Sequence, residues 1–211
     1  MVIEETVTDS TTFALWIEAI GTILSAIGNT PSNIFSQSFL YNLDNIGDIL
    51  QVTGTGIQID DERVLSLNKL GNYIIAAGNL EEIAADFLLE RESGLQQLLL
   101  NQGNAIQAAG TGLAVIYSFG QTPTLSNIYG LYANVLQLVG LALQVLAGGF
   151  PSDNETGTVI NTIGNWVQAS GAVLAVVSQE LENADSSNES ESSVNGEGKY
   201  NYSFYLQHST A

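Results

Sequence analysis

Hydrophobic residues along most of this chain follow the spacing of an α-helix. Gly103, Ile106 and Gly110 lie three, four and seven residues apart, so they fall on one face of a helix. Asn104 and Gln107 fall on a second face, which is polar but uncharged. Hydrophobic residues do not alternate at every second position, as they do in a half-buried strand. The pattern predicts helices.

This helical segment recurs in six copies, each with a small residue, usually an Asn or Asp next to it, usually a Gln or Glu four residues on, and a glycine seven residues on. A period of roughly thirty residues is typical of helical repeat proteins. The third copy departs from the pattern, because Ile75 occupies its Gln position. The copies begin at Ala14, Gly47, Gly71, Gly103, Ala133 and Gly164, and they close at Gly21, Gly54, Gly78, Gly110, Gly140 and Gly171.

Glycine-to-proline stretches at 28–31, 120–123 and 148–151 divide the copies, since such stretches end helices. We therefore predict an all-α fold over residues 1–182: about six amphipathic, glycine-striped helices in antiparallel succession, a helical repeat bundle. Residues 183–211 form a separate acidic, Ser/Asn-rich tail, with 183–198 expected to be disordered and the alternating aromatic residues of 200–206 to form a short strand. The predicted helices are about 10–28, 36–58, 62–90, 94–118, 125–148 and 155–182.

Glycine inside a helix costs up to about 1 kcal/mol relative to alanine, so repeated glycines need a compensating gain. The usual compensating gain is the close approach of two helix backbones. The stripes serve either tight packing within one bundle or a surface for assembly or membrane insertion. The predicted helix-packing glycines are Gly21, Gly47, Gly54, Gly71, Gly78, Gly103, Gly110, Gly140, Gly164 and Gly171.

An uncharged polar stripe runs beside the glycines in the second half of the chain. A solvated helix face normally carries charged pairs, whereas amides both donate and accept hydrogen bonds and so bridge partly buried helices. Packing against similar helices is the favoured interpretation, with a neutral solvent face as the alternative. The stripe consists of Asn104, Gln107, Asn134, Gln137, Asn165 and Gln168.

Charge narrows the choice of partners. Four basic against 22 acidic residues give a net charge of -18, which argues against nucleic acid and anionic membrane surfaces as partners. Residues 93–152 carry no charge at all. The chain has no cysteine, which excludes disulfides, thiol catalysis and cysteine metal sites. Its first ten residues lack the features of a secretory signal, so a cytoplasmic location is expected, with a membrane as the alternative.

No catalytic, cofactor or metal site is predicted, nor a small-molecule substrate. The one histidine, His208, lies in the tail, and the acidic runs at 60–62 and 81–82, like Glu18, Asp44 and Asp48, are interpreted as solvated. Residues 153–157 are interpreted as a turn and a helix cap.

The repeated phrase at 103–110 and 164–171 resembles an uncharacterised family of glycine-rich repetitive helical proteins of endospore-forming bacilli, over about residues 13–178. The resemblance implies a bacterial source and a helical repeat, and it brings no catalytic residues. The favoured function is a non-enzymatic structural or interaction protein that self-associates into a homo-oligomer through its uncharged half, 93–179. The alternative is a membrane-active or membrane-embedded protein using Leu131–Phe150 and Val159–Val177, which are long enough to span a bilayer.

Overall fold

The computed structural model describes residues 2–207 except 92 and 152, and side chains from 10 to 188 with the same two gaps. Within this part the chain forms helices and no strand, which confirms the all-α prediction. The helices are α1 (Val2–Gly28), α2 (Gln37–Asp61), α3 (Leu67–Leu88), α4 (Gly94–Phe119), α5 (Leu125–Ala147) and α6 (Glu155–Gln207).

Short polar side chains set the helix starts. The hydroxyls of Ser36, Ser66, Ser93 and Thr124 each accept the backbone N–H three residues on, which satisfies a donor that the first turn leaves unpaired. The cap at Ser66 makes α3 begin at residue 67, later than the predicted 62. At α6, Asn154 Oδ1 accepts from Gly157 N at 3.1 Å, in agreement with the predicted turn and cap.

The end of α6 differs from the prediction. Residues 183–207 continue the helix, where the sequence predicted a disordered segment and a short strand. Extending an existing helix needs no new nucleus, so helical order passes into a polar segment that would not start a helix itself. Contacts with α1 reach Asn183, whose Nδ2 donates to Thr12 Oγ1 at 3.0 Å. His208 lies outside the described residues.

The six helices form a closed ring. Each packs antiparallel against the next along the chain, and α6 packs against α1. Packing is closest in three hairpins, α1/α2, α3/α4 and α5/α6. We call the end with connections 29–36, 89–93 and 148–154 the upper end, and the other the lower end.

Glycine residues allow the two helices of each hairpin to pack closely. A Cβ on Gly21 would lie 2.6 Å from Gly47 O, and a Cβ on Gly140 would lie 2.6 Å from Gly164 O. Backbones this close leave no room for a side chain, so these contacts require glycine. In each hairpin, two small residues seven positions apart on one helix contact two small residues seven positions apart on the other. The contacting pairs are Ala14/Gly54 and Gly21/Gly47 in α1/α2, Gly71/Gly110 and Gly78/Gly103 in α3/α4, and Ala133/Gly171 and Gly140/Gly164 in α5/α6.

Burial is inverted relative to an ordinary water-soluble bundle. Among the described side chains, buried polar and charged residues outnumber buried hydrophobic ones, and most of the latter are alanine. Large hydrophobic side chains lie instead on the outside of all six helices. In α4, for example, Gln107 and Thr111 are each only 2% exposed, whereas Ile116 is 58% exposed. The ring therefore has a polar interior and an apolar exterior.

Candidate functional site

A polar cavity of about 130 Å³, which we call the lumen, lies inside the ring. All six helices contribute to its wall, together with Asn29 at the end of α1. The lining residues are Ser25, Asn29, Asp44, Asp48, Gln51, Glu82, Asp86, Leu100, Asn104, Gln107, Gln144, Asn161, Asn165 and Gln168.

The glycine register decides which residues face the lumen. After Gly47, Gly103 and Gly164, the residues one and four positions on line the lumen, because they lie on the helix face next to the glycine contact. Asp48 and Gln51 stand in this relation to Gly47, and Asn104 and Gln107 to Gly103. One repeated framework thus presents a repeated set of inward polar positions.

Carboxylates line the lumen on the side formed by α2 and α3. Asp44 accepts a hydrogen bond from Asn29 Nδ2 at 2.7 Å. Asp48 Oδ1 accepts from Ser25 Oγ at 3.0 Å and from Gln51 Nε2 at 3.3 Å. All these donors are neutral, and none of the described lumen-lining residues is Lys or Arg.

Two further carboxylates of α3 complete this side. Glu82 Oε2 accepts from Gln107 Nε2 at 2.7 Å, and Asp86 Oδ1 accepts from Gln96 Nε2 at 2.9 Å. Arg91, in the upper connection, places its guanidinium 4.1 Å from the centre of the Tyr41 ring. We call Asp44, Asp48, Glu82 and Asp86 the acidic side of the lumen.

Amides form the opposite side. Gln144 Nε2 donates to Gln168 Oε1 at 2.7 Å, joining α5 to α6. Gln168 Nε2 in turn lies 3.4 Å from Gln51 Oε1, so this chain of amides crosses the lumen to α2.

The predicted polar stripe lies inward. Asn104 and Asn165 line the lumen and donate to backbone carbonyls of their own helices. Asn134 Nδ2 donates to Ser118 Oγ at 2.9 Å, linking α5 to α4, and Gln137 is buried. These side chains therefore contact helices of the same chain.

The lumen opens at the upper end. A wider cavity of about 550 Å³, the vestibule, shares Asn29, Leu100, Asn104, Gln144 and Asn161 with it. Exposed residues at the upper end, including Pro31 and Phe150 of the connections and Gln37 at the start of α2, line the outer part of the vestibule. Towards the lower end the interior is filled, with Ala19, Ala172 and Val176 packed against Leu15.

Some buried polar atoms lack a hydrogen-bond partner. Among the lumen-lining residues this atom is Glu82 Oε1, which lies beside Gly103 on a side chain that is only 7% exposed. An unpaired buried polar atom costs about 1–3 kcal/mol, and more when the group is charged. The others are Asn45 Oδ1, Asn72 Nδ2, Asn79 Oδ1 and Asn101 Oδ1.

The buried carboxylates are what the sequence interpretation missed. Glu82, Asp48, Asp44 and Glu18 were expected to be solvated, but Glu82 and Asp48 are buried and the other two are half-buried. A signal was present: Asp48 follows Gly47 directly, and Glu82 stands four residues after a repeat glycine, where other copies carry Asn and Gln. Asp48, Glu82 and Glu18 thus occupy amide positions of the repeat, whereas Asp44 lies three residues before Gly47.

The predicted packing glycines all lie against a neighbouring helix of the same chain. A Cβ at any of the ten would come within 3.0 Å of an atom of the paired helix. The acidic run at 60–62 lies at the lower end, where Asp61 accepts from Thr11 Oγ1 at 3.2 Å. The described part of the chain contains no group of three or more His, Cys, Asp or Glu side chains that could hold a metal ion.

The chain belongs to a family of unknown function, DUF6944, whose model matches residues 9–176. The match covers the ring of helices and ends inside α6. No curated protein and no solved structure matches the chain. The family therefore supplies no activity.

Proposed function

We propose that this member of a family of unknown function is an integral membrane protein whose six helices enclose a polar lumen that is open at one end. The observation that carries the proposal is the inverted burial: an apolar belt surrounds the ring, and the polar side chains face inward. In water such a surface is unfavourable, since soluble monomers rarely expose large contiguous apolar patches. In a bilayer the same surface is solvated by lipid.

The apolar belt favours lipid over a protein as its partner, because the belt is continuous around the ring. A protein partner covers one face, whereas lipid covers every side. The belt residues, all exposed, are Phe13, Trp16 and Ile20 of α1; Phe39, Ile46 and Ile49 of α2; Leu70, Tyr73 and Leu80 of α3; Leu95, Leu98 and Ile116 of α4; Ile128, Tyr132 and Val139 of α5; and Val159, Ile163, Trp166, Val173 and Val177 of α6.

Charge and length agree with this arrangement. Among the described residues, the exposed charged side chains lie in connections, within two residues of a helix end, or in α6 beyond residue 179. Helices α1–α5 have 22 to 27 residues. At a rise of about 1.5 Å per residue, even the shortest spans a hydrocarbon core of about 30 Å.

Hydropathy alone is a poor guide here. Only Ser10–Gly28 and Leu125–Ala147 are apolar and long enough to qualify as spans in the described chain. The second overlaps the predicted segment 131–150, whereas 159–177 does not qualify. Core helices of soluble proteins pass the same test. A helix with one face on a polar lumen has a lower mean hydropathy, so the exposure pattern carries the argument.

Self-association through the uncharged half has less support. Its glycine stripes and amides are already engaged within the chain. A second copy would have to bind the apolar belt, which is alike in both halves. The membrane proposal thus departs from the cytoplasmic location expected from the first ten residues.

The two tryptophans of the chain provide a direct test. Trp16 and Trp166 are 49% and 43% exposed on the belt. In vesicles of phosphatidylcholine with brominated acyl chains, we expect the fluorescence of both to be quenched, with weak quenching by aqueous acrylamide. The variants Trp16→Phe and Trp166→Phe assign the signal to each side chain.

Fractionation supplies the second arm of the test. We expect the protein to stay in membranes after carbonate extraction and to need detergent for release. A protein that is monodisperse without detergent, with tryptophans open to acrylamide, would refute the proposal. A discrete oligomer without detergent would favour self-association through the belt.

A further inference from the structure

We infer that the acidic side of the lumen binds a hard divalent cation that keeps part of its water shell, with Mg²⁺ as the reference ion. The inference concerns the interior of the ring. It stands whether the exterior faces lipid or another protein.

One oxygen of the Glu82 carboxylate has no hydrogen-bond partner. Gln107 satisfies Oε2, but Oε1 has no hydrogen-bond partner on a side chain that is 93% buried and lines the lumen. Burying a carboxylate is costly unless a donor or a cation compensates it. A cation bound by the Glu82 carboxylate in the lumen, directly or through a water, supplies this compensation.

Negative charge accumulates in the lumen. Asp44, Asp48 and Asp86 line the same cavity as Glu82. Their hydrogen-bond donors within the described chain are hydroxyls and amides, which carry no charge. Burial raises the pKa of the Asp86 carboxyl, whereas the charge of the nearby Arg91 guanidinium lowers it. Carboxylates held together in a partly dry cavity repel one another, and a doubly charged ion offsets this better than a singly charged one.

The donor set indicates the class of ion. The lumen offers carboxylate and amide oxygens and no thiol or imidazole, and such oxygens suit Mg²⁺, Ca²⁺ and Mn²⁺. In the described chain these carboxylates do not converge on one point as a three-ligand metal site. Mg²⁺ characteristically binds one or two carboxylates and keeps several waters. The lumen has room for waters, and the vestibule gives the ion a route in.

Calorimetry on the full chain in detergent tests the inference. Protein freed of divalent ions with EDTA is titrated with MgCl₂, and separately with NaCl at matched ionic strength. We expect saturable binding of Mg²⁺ and none of Na⁺. The variants Glu82→Gln and Asp48→Asn should weaken Mg²⁺ binding at least tenfold.

Glu81→Gln is the matched control, because it removes the same charge from the adjacent position of α3, which does not line the lumen. It should change the affinity less than twofold. Equal affinities for Glu82→Gln and Glu81→Gln would overturn the inference, as would an absence of saturable Mg²⁺ binding.

Thermal unfolding of the parent chain is a readout that needs no variant. A cation that binds only the folded state raises the Tm with its concentration. We expect a rise with MgCl₂ that NaCl at matched ionic strength does not reproduce, and an equal rise with both salts would contradict the inference. Neither result depends on membrane fractionation, so the two proposals fail separately.

Discussion

The two halves of the ring share one backbone framework and differ in the chemistry they place inside it. Helices α1–α3 carry the four carboxylates of the lumen, and α4–α6 carry most of its amides. The boundary runs through the middle hairpin, where Gln107 Nε2 of α4 donates to Glu82 Oε2 of α3.

This difference separates two roles within one repeat. The small residues at seven-residue intervals determine how closely the backbones approach, and they are similar in all three hairpins. The residues one and four positions later do not affect that approach, so they are free to be Asp in one copy and Asn in another. The backbone framework is thus repeated, and the charge of the lumen lining depends on the residues that differ between the copies.

The largest expected effect tests the shared framework. Gly47→Leu and Gly164→Leu should each lower the free energy of unfolding by at least about 3 kcal/mol, because the new Cβ would lie 2.6 Å and 2.7 Å from a carbonyl oxygen of the paired helix. Thermal unfolding followed by circular dichroism measures the loss.

Gly56→Leu and Gly112→Leu are the matched controls in the two halves. Nothing lies within 4 Å of a Cβ at either position, and leucine favours the helix by about 0.5–1 kcal/mol over glycine. If substitution of the buried glycine destabilised one half of the ring and not the other, the two halves would not share one backbone framework.

A lysine on the belt is the next largest change. Ile20→Lys in α1 and Val139→Lys in α5 place a charge at an exposed position near the middle of a helix. At the centre of a bilayer this costs about 2.5 kcal/mol, so the carbonate-resistant fraction should fall alike in both halves. Ile34→Lys, in an upper connection, should leave that fraction unchanged. Similar membrane retention for all three variants would argue against a lipid-facing belt.

Exchanging carboxylate and amide sharpens the contrast inside the lumen. Without divalent cations, and at a pH above the pKa of Glu82, which burial raises, Glu82→Gln should stabilise the fold by about 1 kcal/mol, since it removes a charge with an unpaired oxygen. Gln168→Glu should destabilise it by about 2 kcal/mol, since it buries a new charge and removes the donor to Gln51. The two Tm shifts should have opposite signs in EDTA. If the two Tm shifts had the same sign, the two halves would not differ in how they tolerate a buried negative charge.

The smallest expected effect comes from a hydrogen bond that helps to close the ring between α6 and α1. Trp166 Nε1 of α6 donates to Thr30 Oγ1 beyond the end of α1, at 3.0 Å. Thr30→Val should cost about 0.5–1 kcal/mol. Thr53→Val removes only a hydrogen bond to its own helix, at Ile49 O. The difference between the two Tm values measures the contribution of this link to closure, and equal values would show that it contributes nothing.

Much of the fold could be predicted from periodicity and helix caps. The positions of α2, α4 and α5 agree with the sequence within about three residues, because proline and capping residues act locally. The end of α6 could not be predicted in this way, because continuing a helix depends on the helix that precedes it.

The candidate site was only half accessible to sequence reasoning. The amide stripe was visible, since uncharged polar residues on a helix face are unusual. The carboxylates were not, because an acidic residue on an amphipathic helix is normally solvated. Glu81 and Glu82 are adjacent in sequence, yet only Glu82 faces the lumen.

By itself, the sequence determined that the chain forms helices, where small residues recur and which half lacks charge, because these follow from local spacing and composition. The tertiary structure alone decided that the polar face is the inner one. An amphipathic helix can turn either face inward, and the close glycine contacts of three hairpins, closed into a ring by α6 and α1, orient all six with their polar side chains around a common lumen.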